Sequence, residues 1–92
     1  MTNSKELLAA VHLTKAKVKS LPAFDYSRRA EYDAALDRLC GELAAAGAAI
    51  GDRHDGAWVR WQGIRASATA GRSAAISNWV AAAYRWLDRE NG

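Results

Sequence analysis

The sequence predicts an α+β fold, mostly helical, with about three helices and a short antiparallel β-hairpin or strand before the last helix. Three observations predict it. Two stretches, 32–43 and 76–87, carry apolar residues in steps of three and four, which places them on one helix face. A run rich in glycine and aspartate lies between them and leads into aromatic and β-branched residues in rough alternation, the pattern of a strand. Half of the 92 residues are hydrophobic, which suffices for one core and fits a single domain over 1–92. A chain of this size buries only about 60–65% of its unfolded surface, so a homodimer would help it, and monomer and homodimer both stay open.

The first helix is expected from about Ser4 to Ser20. Asn3 with Glu6 three residues on is a capping-box start, and Leu7, Leu8, Val11 and Val18 follow with approximate helical spacing. Lys15-Ala16-Lys17-Val18-Lys19 also alternates with period two, so a strand there is an alternative. Pro22 ends the element because proline disfavours a helical residue before it.

The second helix is expected at about Ser27 to Ala46. Tyr32, Leu36, Leu39 and Leu43 share one face, Ala35 and Cys40 widen it, and Asp33, Asp37, Arg38 and Glu42 lie away from it. Gly47 suits its C-terminal stop, since glycine takes the left-handed conformation cheaply.

Gly51-Asp52-Arg53-His54-Asp55-Gly56 reads as a turn or loop, and Asp-Gly is a hairpin signal when strands flank it. Residues 58–67 then alternate, with a slip of phase at Gly63 that a bulge would explain. They are expected to form one strand, paired with Ala48–Ile50. A helix through this stretch is the alternative, with Trp58, Trp61 and Arg65 on one side. Thr69 or Ser73 is expected to cap the final helix, where Ile76, Val80, Ala83 and Leu87 form a stripe and Trp79 and Trp86 a second one.

The net charge of +3 is unevenly laid out: +4 over residues 1–29, −4 over 30–56 and +3 over 57–92. Such asymmetry bears on partners rather than on fold. The lone cysteine excludes an internal disulfide, and no apolar run of about 18 residues is present for a membrane span. A cytoplasmic protein with no membrane association is therefore expected.

Catalytic and cofactor chemistry find little footing. Cys40, His12 and His54 are too far apart in sequence for a structural zinc site, which needs about four ligands. No phosphate loop, dinucleotide fingerprint or nucleophile elbow is present. Cys40 beside an apolar helix face reads as core, since free cysteine is among the most buried residue types. His54 between Asp52 and Asp55 reads as a solvated turn, with weak metal binding as the sharper alternative. No enzymatic activity and no cofactor are expected.

Four tryptophans are the unusual feature. Trp79 and Trp86 flank the last helix's apolar stripe and read as core. Trp58 and Trp61 are an odd number of residues apart, so on a strand they face opposite sides and one is exposed or at an edge. Exposed tryptophan beside Arg60 and Arg65 has the composition of a protein-interface hot spot, and it could equally stack on a nucleic-acid base. Trp58, Arg60, Trp61 and Arg65 are thus candidate protein-binding residues. Glu31, Asp33 and Asp37 join them as an acidic helix face that could imitate a phosphate backbone or dock on a basic partner. A second candidate set is Lys15, Lys17, Lys19, Arg28 and Arg29, an anion-binding patch if the lysines line one side of a strand. On a helix, steps of 100° would spread them.

The segment Trp61-Gln62-Gly63-Ile64-Arg65-Ala66-Ser67-Ala68-Thr69, followed by Ala74-Ala75-Ile76-Ser77-Asn78-Trp79, resembles small orphan proteins of phages and prophages. The resemblance implies a mobile-element accessory protein, a pool that includes the anti-CRISPR inhibitors. Those are small non-enzymatic proteins that block a surface of a large ribonucleoprotein. The expected function is a protein-interaction module, plausibly a phage-encoded inhibitor that blocks a nucleic-acid-binding surface of a host protein or ribonucleoprotein complex. The alternative is a small basic nucleic-acid-binding or regulatory domain.

Overall fold

A computed structural model describes residues 3–23 and 25–91. The fold is α+β and mostly helical: three helices, with a three-stranded antiparallel sheet before the last of them. Helix α1 spans Ser4–Lys19, α2 spans Arg29–Ala45 after a short 3-10 turn at Tyr26–Arg28, and α3 spans Arg72–Asn91. Strands β1 (Ala49–Arg53), β2 (Gly56–Trp61) and β3 (Ile64–Ala68) lie in the order β1-β2-β3.

Asn3 starts α1 as its composition suggests. Its Oδ1 accepts from the backbone N–H groups of Lys5 and Glu6, which would otherwise lack a partner in the first turn. The helix continues through Lys15–Lys19, so the strand alternative there does not hold and the three lysines do not line up. Its buried face is Leu7, Ala10, Val11 and Thr14. Thr14 is fully buried yet satisfied, its hydroxyl donating to the Ala10 carbonyl at 2.7 Å. Leu8, expected on that face, is turned outward at 41% exposure.

In α2 the core positions are Leu36, Leu39, Cys40 and Leu43, with Tyr32 half-buried beside them. The helix ends in a Schellman pattern: Ala48 N–H donates to the Leu43 carbonyl and Gly47 N–H to that of Ala44. This bend delivers the chain directly into β1.

Between β2 and β3 the structure departs from the sequence reading. The phase slip at Gly63 is not a bulge in one strand but a second two-residue hairpin turn. Gln62 and Gly63 both take positive φ, 53° and 74°, the signature of a type I′ turn. The segment 57–67 is therefore two antiparallel strands, paired from Trp61↔Ile64 back to Ala57↔Ala68. The first hairpin turns at His54-Asp55, so the expected loop 51–56 is largely strand.

Alternation gives the sheet one packed face. Ala57, Val59, Trp61 and Ile64 are buried against α3, which supplies Ala75, Ile76, Trp79, Ala83 and Leu87. Trp61 and Trp79 stack with centroids 5.1 Å apart and planes 26° from parallel. The Trp79 indole N–H, fully buried, donates to the Trp61 carbonyl at 3.2 Å. Helix α1 packs on α3, and α2 leans on α1 and β1. Gly71, at φ 115°, precedes α3, and its carbonyl receives the first helical bond from Ala75; neither Thr69 nor Ser73 holds the cap position.

Candidate binding surface

The second face of the sheet is open. Cross-strand partners point to the same side, so the register fixes what this face carries. One row is Ala49, Arg60 and Arg65; the next is Gly51, Trp58 and Ser67; Arg53 stands at the hairpin end. Arg53, Arg60, Arg65 and Ser67 are exposed and Trp58 is half-buried. The Trp58 indole lies across Gly51: a Cβ on Gly51 would collide with its Nε1. Glycine here is what lets the ring lie down on β1, one large side chain covering the gap left by an absent one.

The two arginines are an electrostatic oddity. The two-residue turn makes Trp61↔Ile64 the hydrogen-bonded closing pair, so Arg60↔Arg65 is a non-hydrogen-bonded pair, the class whose Cα atoms approach to about 4.5 Å. Like charges directly opposite one another destabilise a sheet. Among the described residues neither guanidinium has an ion pair or hydrogen bond, and the same holds for Arg53.

Two shallow hollows flank β3. One, of about 420 Å³, is lined by Arg53, Asp55, Trp58, Arg65, Ser67 and Thr69 among others. The other, of about 330 Å³, runs between β3 and α3 and is lined by Arg65, Ser67, Asn78, Ala81 and Arg85 among others. Arg65 and Ser67 belong to both, so the hollows form one polar track. Asn78 anchors its α3 side by donating to the Ser67 carbonyl at 2.9 Å.

Of the residues singled out in sequence, Trp58, Arg60 and Arg65 come together on this face. Trp61 does not. It is 6% exposed and stacked on Trp79, so its candidacy as a surface anchor is corrected to a core role. Glu31, Asp33 and Asp37 are exposed on α2, but two of them have cationic neighbours. Asp33 lies 3.8 Å from Arg29, and Asp37 pairs with Arg72 at 2.6 Å. Arg72 also approaches Asp52 at 3.7 Å, tying α2, β1 and α3 together. The lysines are dispersed around α1. Lys17 pairs with Glu42 at 2.6 Å, Lys15 lies over the Tyr84 ring and donates to its hydroxyl, and Lys19 is exposed. Arg28 and Arg29, both exposed, lie at the start of α2. Arg53 and Arg85 escaped the sequence reading, Arg53 because its segment looked like loop.

Cys40 is buried, and that burial pushes its thiol pKa up, against a lowering pull from Arg72. His54 is exposed in the first hairpin turn, and no cluster of three metal-ligating side chains occurs among the described residues. No helix of the described residues is long and apolar enough to cross a membrane. Comparisons with protein-family models, with characterised proteins and with solved structures give no match.

Proposed function

We propose that this chain is a non-enzymatic binding module that captures an anionic macromolecular partner on the open face of its sheet. The observation that carries the reading is the Arg60–Arg65 pair. Two guanidinium groups stand opposite each other without a counter-ion among the described residues, beside a half-buried tryptophan. That arrangement costs the fold some stability and is relieved when an anion arrives.

The inhibitor role implied by the phage resemblance would then act through this cationic face rather than through phosphate mimicry by α2. Asp33, Asp37 and Glu42 already face Arg29, Arg72 and Lys17 of the same chain. A host complex that presents phosphate or other anionic groups, a ribonucleoprotein among them, is the matching partner.

Heparin, a polyanion, serves as the probe. Arg60→Thr with Arg65→Thr should leave a heparin column at clearly lower salt than the wild type. Arg38→Thr with Arg89→Thr removes the same charge from exposed helix positions and should shift elution much less. Equal shifts in the two double variants would reduce the effect to net charge and end the proposal, as would a wild-type protein that heparin fails to retain at low salt.

A further inference from the structure

We infer that the anionic partner is single-stranded nucleic acid, laid along the track across β3 with a base against Trp58; this rests on the binding-module reading above. Three observations favour it over a protein or a duplex. First, the face holds one aromatic side chain and no other large apolar one. Its remaining paired positions are Ala49, Gly51, Gly56, Ser67 and arginines. The exposed large apolar residues of the described chain, Leu8, Leu13 and Tyr26, all lie on α1 or the 3-10 turn instead. A protein interface has an apolar core with a polar rim, and this face lacks the core. A stacking platform needs only a ring and cations.

Second, arginines border both hollows, with Asp55 the one acidic residue in their lining. Arg53 borders the first hollow, Arg65 stands between the two, and Arg85 borders the second. Ser67 and Asn78 supply polar groups along the way. A flexible phosphodiester chain can follow such a track, with phosphates at the guanidinium groups and a base turned onto the indole. Arginine also stacks through its planar guanidinium, which lysine does not, and every cation named on this track is arginine.

Third, Arg53, Arg60 and Arg65 sit on the face of a three-stranded sheet. Major-groove reading of a duplex uses an inserted helix or two-stranded ribbon. Here the arginines lie across the face of a three-stranded sheet, two inter-strand spacings or about 10 Å wide, and not along an isolated helix or ribbon. Unpaired bases are free to stack on a ring there, whereas paired ones are stacked within the duplex.

Fluorescence anisotropy of a labelled short oligothymidylate, a duplex of equal length and an oligoglutamate peptide tests this at low salt. The oligothymidylate should bind at least about tenfold more tightly than the other two. Trp58→Ala should weaken it about tenfold or more, the scale of one base–aromatic stack, while Trp58→Phe retains most of the affinity. Because Trp58→Ala also uncovers Gly51, its folding is checked by circular dichroism. Arg65→Ala and Arg85→Ala give an independent reading: each should lower the slope of log affinity against log salt by about 0.7, one phosphate contact on a single strand.

Equal or tighter binding of the duplex would overturn the inference. So would full affinity in a folded Trp58→Ala protein, or binding of the peptide alone. In those cases retention on heparin through Arg60 and Arg65 would leave the binding-module reading intact. Loss of that retention would remove both.

Discussion

Replacing Trp61 and Trp58 by alanine, one at a time, separates the two faces of the sheet in a single experiment. Trp61 is 6% exposed, stacks on Trp79 at 5.1 Å and accepts the Trp79 indole N–H on its own carbonyl. Truncating a buried aromatic leaves a cavity as well as losing transfer free energy, about 3–5 kcal/mol together. A chain of this length has a total stability of about 5–14 kcal/mol at typical per-residue values, so Trp61→Ala removes a large fraction of it. Trp58 is only half-buried and covers a glycine on an open face, so Trp58→Ala loses a cross-strand contact and part of a ring's burial, about 1–2 kcal/mol. The gap of at least about 1–2 kcal/mol corresponds to roughly 5–15 °C in melting temperature for a domain of this size. Urea titration followed by far-ultraviolet circular dichroism measures it, with equal m-values required for the comparison. If Trp58→Ala is as costly as Trp61→Ala, the assignment of faces is wrong, and with it the candidate surface.

Three further outcomes follow from the same geometry. Gly51→Ala drives a Cβ into the Trp58 indole and forces the ring off β1; a loss of about 1–3 kcal/mol in urea is expected, and no loss would mean the ring does not lie there. Gln62→Asn creates Asn-Gly in a turn whose first residue has φ 53°, and should raise stability by about 0.5–1 kcal/mol; a neutral or lower urea midpoint would argue against the type I′ geometry. The Cys40 pKa is raised by burial, so the folded state keeps the thiol protonated where the unfolded chain ionises near about pH 8.5. That contribution is complete below the unfolded pKa and is lost as pH rises through the folded one. Stability should therefore fall more steeply above about pH 8.5 in the wild type than in Cys40→Ala, and parallel curves would refute the shift.

The helices were legible because their buried faces repeat at the helical period. Leu36, Leu39, Cys40 and Leu43 announce α2, and Ile76, Ala83 and Leu87 announce α3. Caps were legible at Asn3 and at Gly47, where side-chain chemistry or a positive φ is needed, but not at Gly71, which took the place of two better capping residues. The sheet was half legible. Glutamine before Gly63 carries none of the turn preference of asparagine or aspartate, so a hairpin turn looked like a bulge. The faces of Trp58 and Trp61 stayed undecided for another reason: their odd spacing separates them, but only the presence of Trp79 opposite decides which is buried. Arg53 was hidden by the reading of 51–56 as loop, since its place on the open face depends on β1 reaching the first turn.

Asp33, Asp37 and Glu42 of α2 and the arginines of the sheet differ in their surroundings, and the difference supports the proposed surface. On α2 the carboxylates of Asp33, Asp37 and Glu42 are each met by a cation from the same chain, as a structural surface would have it. On the sheet the arginines are met by nothing among the described residues, and two of them are set opposite each other by the register itself. A sheet built for stability alone would carry a threonine or an opposite charge at one of those positions. Local rules are broken mainly where a partner supplies the compensation. On the proposed reading the compensation is negative charge beside a planar aromatic group. Among common macromolecules, a single strand of nucleic acid offers that together with bases to stack.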